Sequence, residues 1–357
     1  MGSHRGIEPV AGFRSLETLH CVTGSMRHIY ETHGHPASED LLLGLGAGVG
    51  FVYWHQKGAP PFYGGRANAG GPKDEGLEIT AGRRTGVAAE YRTTSSARKA
   101  EQALIALVEA GEPVLVYVDM GFLPYFTDLP EDYHFGGHVV VVAGYDAASG
   151  HVLIADRESP LYSVSMEDLE RARGSTFKPF PPRHRWCEFD FSAARAPTVA
   201  ETRAAIAQAA TAMMEPPISN FGVAGIRTAA KRTLAWPKVL DAETLAFACL
   251  NLWIFIDATG GTGGGIFRYM YGRFLHEAAE ITGQPELAVI GDEFTAIGDD
   301  WQVVATRFKA AGEAPDPAAA LPEVVAPLPA IADRAEAAWT RVLERGGSEW
   351  RTVGSIA

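Results

Sequence analysis

Three residues of this sequence have the types that covalent catalysis through a thiol requires. Cys21 stands near the start of a segment with helical periodicity, where backbone N–H groups and the helix dipole stabilise a thiolate. His138 follows two glycines and opens a run of four valines, at the mouth of a predicted buried strand. Because the thiolate is the nucleophile, we expect Cys21 to take up an acyl group as a thioester, with His138 as its base. The alternatives are a small buried hydrophobe for Cys21 and a ring satisfied by the backbone for His138.

Asp156 supplies a third group through the geometry of a predicted hairpin. One strand runs from His138 to Gly144 and returns from Gly150 to Asp156. If Gly144 faces Gly150, His138 lies opposite Asp156, and opposed residues share a face with Cβ atoms about 5 Å apart. The carboxylate would then hold one imidazole nitrogen and leave the other for Cys21.

This assignment depends on the register of the hairpin. A shift of one residue would turn Asp156 to the opposite face of the sheet. Asp146 would then compete for the same role, although an aspartate in a turn is usually structural.

The elements that must position these residues follow from hydrophobic periodicity. A helix is expected from about Thr18 to Gly34, and another after Ser38, whose side chain would cap it. A third helix opens at Ser95 or Ser96 and is closed by Gly111. Buried strands are predicted at 114–118, 139–142, 152–155 and 186–191.

From about residue 196 the sequence becomes alanine-rich with a helical period. A domain boundary near 195 therefore separates a mixed N-terminal part from a mainly helical C-terminal part, and the fold class is α+β. A Pro/Ala-rich linker is expected at 314–330. The predicted helices of this part are 198–215, 241–256, 266–283, 286–312 and 331–345.

Composition limits the classes of function. The 357 residues carry a net charge of −12, which disfavours nucleic acid as a partner. Three cysteines without a CxxC pair favour neither a disulfide framework nor a thiolate zinc site, and we expect no metal and no bound cofactor. No apolar run is long enough for a membrane span and no export signal is seen, so we expect a cytoplasmic protein that does not bind membranes.

Two glycine-rich segments are weaker signals. The alternating glycines from Gly44 to Gly50 follow a predicted helix and not a strand, so the dinucleotide-binding interpretation fails its context. The segment 259–265 leads into a helix, where a phosphate or carboxylate could dock at the N-terminus. A flexible loop that allows close backbone approach explains it equally well.

In its motifs the chain resembles the butirosin biosynthesis protein H family (BtrH-like proteins). The resemblance extends from about residue 15 to 345, and it is the combination of motifs that is specific. The motifs are His20-Cys21 before a helix, Ser38-Glu39, the stretch 44–51, the stretch 137–146 with Asp156 beyond it, and the stretch 263–278.

The resemblance implies a papain-like catalytic domain at 12–195 and a helical domain at 196–357 that serves as a lid or binds the acceptor. The namesake of the family transfers an acyl group from the phosphopantetheine thioester of a carrier protein to an amine of a natural-product precursor. An acyl carrier protein and a small-molecule acceptor are thus the expected partners. Exposed apolar helix faces in the second domain would also allow a homodimer.

By similarity, Cys21 would accept the acyl group, His138 would be the base and Asp156 would orient it. One departure concerns the oxyanion, because papain-like proteases place a glutamine shortly before the cysteine and this chain has none there. The Cys21 backbone N–H with His20 or another side chain would have to replace it, which makes proteolysis less favoured. Further residues assigned to oxyanion or substrate binding are His20, Gly137, Tyr53, Gly264, Arg268 and Tyr271.

Other functions use the same three residues. A thioesterase or peptidase would release the acyl group to water, and a cyclase would use a nucleophile of the substrate itself. A papain-like binding module without catalysis would need none of the three. Arg268 and Tyr271, which share a helix face at i and i+3, are equally explained as packing residues.

Overall fold

A six-stranded antiparallel sheet organises the N-terminal part of the chain in this structure, a computed structural model that describes residues 6–56, 60–69, 75–130, 132–259 and 264–345. The strands are β1 Val49–Trp54, β2 Phe62–Arg66, β3 Ala88–Arg92, β4 Val114–Val118, β5 His138–Asp146, β6 His151–Ala155, β7 Tyr162–Ser165 and β8 Trp186–Asp190. The large sheet has the order β3-β8-β4-β5-β6-β7, and β1 pairs with β2 separately. The apolar runs correctly predict β4, β5, β6 and β8 but not the other four strands.

Helices make up most of the C-terminal part. They are α1 Cys21–Thr32, α2 Glu39–Leu45, α3 Leu77–Arg84, α4 Ala97–Glu109, α5 Met166–Gly174, α6 Val199–Met214, α7 Gly222–Thr233, α8 Ala242–Ile256, α9 Gly264–Thr282, α10 Glu286–Glu313, α11 Pro317–Val325 and α12 Leu328–Arg345. The predicted caps are confirmed, since Ser38 Oγ accepts the Leu41 N–H at 2.9 Å and Ser96 Oγ accepts the Lys99 N–H at 3.3 Å. Within the described ranges, no helix is both long and apolar enough to cross a bilayer.

One face of the sheet forms a core with α4 and α5. Successive side chains of a strand point to opposite faces, so every second residue contributes to this core. His138, the first residue of β5, lies two residues before Val140. Its side chain therefore points to the same face of the sheet. The core residues include Val114, Val116, Val118, Val140, Val142, Val152 and Ile154 of the strands with Leu104, Val108, Leu169 and Ala172 of the helices.

The turn between β5 and β6 differs from the predicted one. Gly144 pairs with Leu153 and not with Gly150, so the predicted pairing is wrong. Gly150 instead lies in the turn with φ of +67°, a left-handed conformation that glycine adopts without a steric cost. Asp146 closes the turn by accepting two backbone N–H groups of the turn at 3.1 Å each. It has the structural role that its position suggests.

A β-bulge in β5 determines which face Asp156 occupies. Strand β5 has one extra residue, Ala143, relative to β6. Beyond the bulge the register places Asp156 across from Val140, two residues along from His138 and on the same face. With an unbroken ladder Asp156 would lie opposite Val141, on the other face. His138 and Asp156 therefore lie on the same face, as predicted. The register that places them there includes a bulge that the predicted hairpin lacked.

The chain divides into two compact units that are not continuous in sequence. The first unit contains residues up to Leu42 and Thr85–Ala196, and the second contains Leu43–Arg84 and the chain from Pro197. One junction coincides with the predicted boundary near 195. The other assigns Leu43–Arg84 to the second unit, although the predicted catalytic domain at 12–195 includes this segment.

Aromatic contacts explain why Leu43–Arg84 belongs with the C-terminal helices. Phe51 of β1 stacks on Trp301 of α10, with ring centroids 5.5 Å apart. Tyr63 of β2 meets Phe308 of α10 edge-on at 5.6 Å. All four rings are buried, and such large apolar surfaces dominate the energy of a core.

The predicted linker at 314–330 is wrong, because α11 occupies much of it. Asp316 caps this helix by accepting the N–H groups of Ala318 and Ala319 at 3.1 and 3.3 Å. Pro317 takes the first helical position, where its missing N–H costs nothing. A segment rich in proline and alanine was thus a capped helix, since alanine favours helix and proline is tolerated at its start.

We expect Gly150→Ala to lower the free energy of unfolding by roughly 1–2 kcal/mol, the cost of a left-handed conformation for a residue with a Cβ atom. The new Cβ atom would meet no atom within 4 Å, so backbone strain alone is measured. Urea unfolding of the variant, with the exposed turn substitution Ala148→Ser as control, checks this. Equal stability of Gly150→Ala and the parent would contradict the described turn.

Candidate active site

Cys21 is the first residue of α1 and one of three free cysteines among the described residues. Burial opposes ionisation of its thiol. Electrostatic attraction to His20, and hydrogen bonds with the rings of His138 and His20, nevertheless lower the pKa of Cys21 well below the ordinary value of 9.0. The start of a helix adds to this effect because its free N–H groups favour negative charge. These interactions therefore favour the thiolate form of Cys21.

The other two cysteines are less exposed than Cys21. Cys187 and Cys249 are buried. Burial raises the pKa of Cys249 to about 12, so it stays a thiol. Within the described parts of the chain, no group of three or more His, Cys, Asp or Glu side chains is placed to hold a metal ion.

His138 stands between Cys21 and Asp156. Its Nε2 lies 2.8 Å from Asp156 Oδ2, and both side chains are buried. The ring also forms a hydrogen bond with Cys21, which leaves Nδ1 as the nitrogen that serves the sulfur. Burial disfavours the charged ring, but the attraction and hydrogen bond of Asp156, with a smaller contribution from Cys21, raise the pKa of His138 above its ordinary value. The two shifts both favour the charged forms of Cys21 and His138.

Two further groups hold the carboxylate of Asp156. Tyr125 donates its hydroxyl to Oδ2 at 2.9 Å, and the Arg157 N–H is donated to Oδ1 at 2.8 Å. Burial raises the pKa of Asp156, but His138 and these donors outweigh it, and the net pKa lies below the ordinary value. Tyr125 stays protonated because burial and the adjacent carboxylate raise the pKa of its hydroxyl. Sequence reasoning missed Tyr125, since an aromatic residue in a loop carries no motif.

Glu39 holds the chain segment just before Cys21. Its Oε1 accepts the Leu19 N–H at 2.8 Å, and its Oε2 accepts the His20 N–H at 3.0 Å and the Thr23 hydroxyl at 3.1 Å. The residue is 5% exposed, and burial raises the pKa of its carboxyl group. The sequence indicated Glu39 only as an acidic residue in the first turn of a helix. The Ser38-Glu39 motif shared with BtrH-like proteins was the only sequence feature that pointed to a role for Glu39.

Apolar residues enclose the histidine. The ring of Phe126 meets His138 edge-on, with centroids 5.6 Å apart. Gly137 leaves little room, because a Cβ atom there would come within 3.0 Å of the Phe135 ring. A closely covered imidazole excludes water, which strengthens its interaction with a charged partner. The role predicted for Gly137 in oxyanion or substrate binding stays a prediction.

Four predicted binding residues belong to the second unit, whereas Cys21, His138, Asp156, His20 and Gly137 share the first. Tyr53 accepts a hydrogen bond from Trp236 Nε1 at 3.1 Å, and Arg268 donates to the Gly50 carbonyl at 2.9 Å. Tyr271 is fully buried, and Gly264 begins α9, while residues 260–263 of the predicted glycine loop lie outside the described residues. Substrate binding by Tyr53, Gly264, Arg268 and Tyr271 remains a prediction.

Residues 20–157 match the family model described as butirosin biosynthesis protein H, N-terminal. This N-terminal match is consistent with a BtrH-like family. The match spans Cys21, His138 and Asp156, and the BtrH-like proteins are biosynthetic enzymes. Residues 167–342 match a second model, described as a domain of unknown function, DUF4872. A search of curated proteins gave no match.

The lowered thiol pKa predicts a pH profile for alkylation of Cys21 by iodoacetamide. Thiolate is present above the lowered pKa and is lost as the pH falls through it, so the midpoint of the rate should lie well below 9.0. In His138→Asn the thiolate loses its cationic partner, and the midpoint should move upward, with a rate at pH 7 that falls about tenfold for each pH unit of the move.

Mass spectrometry of the labelled protein gives these rates, with Cys21→Ala as the measure of background. His33→Asn, at the opposite end of α1, is the matched control. A profile that His138→Asn leaves unchanged would show that the two side chains are not coupled.

Tyr125→Phe tests the support of Asp156. The carboxylate loses one donor, so we expect the free energy of unfolding to fall by about 1 kcal/mol. Asp156→Asn removes the charge that holds the proton on His138 and should raise the midpoint of Cys21 alkylation more than Tyr125→Phe does. Tyr162→Phe is the control, because that ring stacks on Tyr125 but its hydroxyl donates to Glu158. Equal midpoints in all three variants would contradict the role of Asp156.

Proposed function

We propose that this BtrH-like chain is an acyltransferase of natural-product biosynthesis that carries the acyl group on Cys21. The observation that supports it most directly is the buried pair of His138 and Asp156, whose imidazole also hydrogen-bonds Cys21. Nucleophile, base and orienting carboxylate in this order are the groups that covalent acyl transfer needs. The proposal includes a papain-like fold for the unit that holds them.

In the first half of the reaction the Cys21 thiolate attacks the carbonyl carbon of a donor thioester. The new bond from Sγ to carbon forms, and the bond to the donor sulfur breaks. His138, which holds the proton of the resting pair, gives it to the departing thiolate from Nδ1. The products are an acyl-Cys21 thioester, a free donor thiol and a neutral His138. Exchange of one thioester for another costs little free energy.

In the second half an amine or other nucleophile attacks the acyl group. Neutral His138 takes the proton that the nucleophile loses, and the carbon–sulfur bond breaks to release Cys21 as a thiolate. This returns the site to its resting thiolate and imidazolium. Asp156 stabilises the charged ring at both stages because its Oδ2 accepts from Nε2. Water must be kept out of the site, or the acyl-enzyme is hydrolysed.

We propose that the donor is the phosphopantetheine thioester of an acyl carrier protein and that the acceptor is a small molecule. This assignment draws on the family, whose model takes its name from butirosin biosynthesis. The helical second unit is proposed to bind the acceptor. A localisation in the cytoplasm and a homodimer are part of the same proposal.

Intact-protein mass spectrometry with acyl thioesters of N-acetylcysteamine, without acceptor, tests the first half of the reaction. We expect a mass gain of one acyl group on the parent protein and none on Cys21→Ala. Cys249→Ala is the matched control, since that buried thiol should not react, and it should behave as the parent does.

Other outcomes would support different functions. Release of free acid without a stable adduct, lost in Cys21→Ala, would identify a thioesterase. A product cyclised on its own nucleophile would identify a cyclase. Absence of both adduct and turnover with carrier-protein donors as well would contradict the enzyme and favour a binding module.

A further inference from the structure

We propose that His20 is a second catalytic imidazole on the sulfur of Cys21, and that Thr23 and Glu39 are its positioning residues. The assignment deepens the acyl-transfer function proposed above and rests on it for its catalytic meaning. Its physical basis lies in the hydrogen bonds around Glu39 and in the contact between His20 and Cys21. Each of these groups belongs to the first compact unit.

The direction of each hydrogen bond follows from what the groups can donate. An ionised carboxylate only accepts, and Glu39 already accepts the N–H groups of Leu19 and His20. The Thr23 hydroxyl, 3.1 Å from Oε2, therefore directs its proton to Glu39. Its oxygen is left to accept from His20 Nδ1, which lies 3.1 Å away. The result is a row of hydrogen bonds that runs from the Glu39 carboxylate through the Thr23 hydroxyl to the His20 imidazole.

These hydrogen bonds determine which nitrogen of His20 faces Cys21. With Nδ1 engaged by Thr23, the hydrogen bond that His20 forms with the thiol falls to Nε2. In this arrangement the ring donates Nδ1–H to Thr23 and presents Nε2 to the sulfur of Cys21. Glu39 also accepts the backbone N–H of His20, which fixes the position of the backbone that carries the ring.

The competing arrangement has the Thr23 backbone N–H donating to His20 Nδ1 as a helix cap. That separation is 3.4 Å, longer than the 3.1 Å to the hydroxyl oxygen. In the capped form Nδ1 has no proton and the Thr23 hydroxyl contributes nothing to the ring. Removal of the hydroxyl alone therefore distinguishes the two arrangements.

The site then has two carboxylate-linked imidazoles on one sulfur. Asp156 acts on His138 directly, and Glu39 acts on His20 through the Thr23 hydroxyl. When His138 has given its proton to the departing donor thiol, Nε2 of His20 remains beside the sulfur of Cys21. Papain-like proteases have an oxyanion-binding glutamine shortly before the cysteine, and this chain does not. His20, directly before Cys21, would lie next to the carbonyl under attack.

The test measures the pH profile of Cys21 alkylation by iodoacetamide, which needs no acyl donor. We expect His20→Asn and Thr23→Val each to move the midpoint upward and to lower the rate at pH 7, by about tenfold and about threefold respectively. Thr23→Ser, which keeps the hydroxyl, should restore the parent profile. Thr32→Val is the matched control, because this threonine of α1 bonds only to the His28 carbonyl among the described contacts.

Several results would overturn the proposal. A His20→Asn profile that superimposes on the parent would remove His20 from the sulfur. A shift in His20→Asn without one in Thr23→Val would favour the capped form and remove Thr23 and Glu39 as positioning residues. Circular dichroism and thermal melting of each variant separate these results from loss of fold.

Failure of the acyl-transfer function would look different. The alkylation profile would still depend on His20 and Thr23, but no acyl thioester would modify Cys21. In that case His20 would activate the Cys21 thiol for a reaction other than acyl transfer.

Discussion

The buried hydrogen-bonded pair of His138 and Asp156, beside Cys21, is the interaction on which the candidate site depends. Burial of charge is costly, and attraction between the partners compensates only when their remaining donors and acceptors are also satisfied. The oxygens of Asp156 meet that condition, because Tyr125, Arg157 and His138 all donate to them. The loops around the sheet end are therefore built to satisfy hydrogen bonds as well as to bury apolar surface.

The same constraint explains the position of Glu39. A carboxylate with three donors is stable in a buried place where an unpaired one would not be. In return it fixes the backbone immediately before α1, so Cys21 has a defined position at the start of that helix. Precision of this kind is what catalytic groups require of their supporting residues.

Much of this architecture could be predicted from the sequence, because periodicity and capping are local. The helix that starts at Cys21, the valine strand after His138 and the alanine-rich helices all follow from patterns within a few turns. The segment Leu43–Arg84 could not be assigned in this way, since Phe51 and Tyr63 find their partners some 250 residues later in the chain. Tyr125 and Glu39 act through long-range hydrogen bonds, which leave no period in a sequence.

The bulge at Ala143 has a consequence for the comparison of related chains. The 18-residue spacing of His138 and Asp156 is an even number. With the same turn and a regular ladder, only an odd spacing would bring histidine and aspartate to one face. Whether this spacing is even or odd therefore indicates whether β5 contains the bulge. A relative that keeps the turn but has an odd spacing should lack the bulge, and an alignment that closes the difference with a gap in the turn would misplace it.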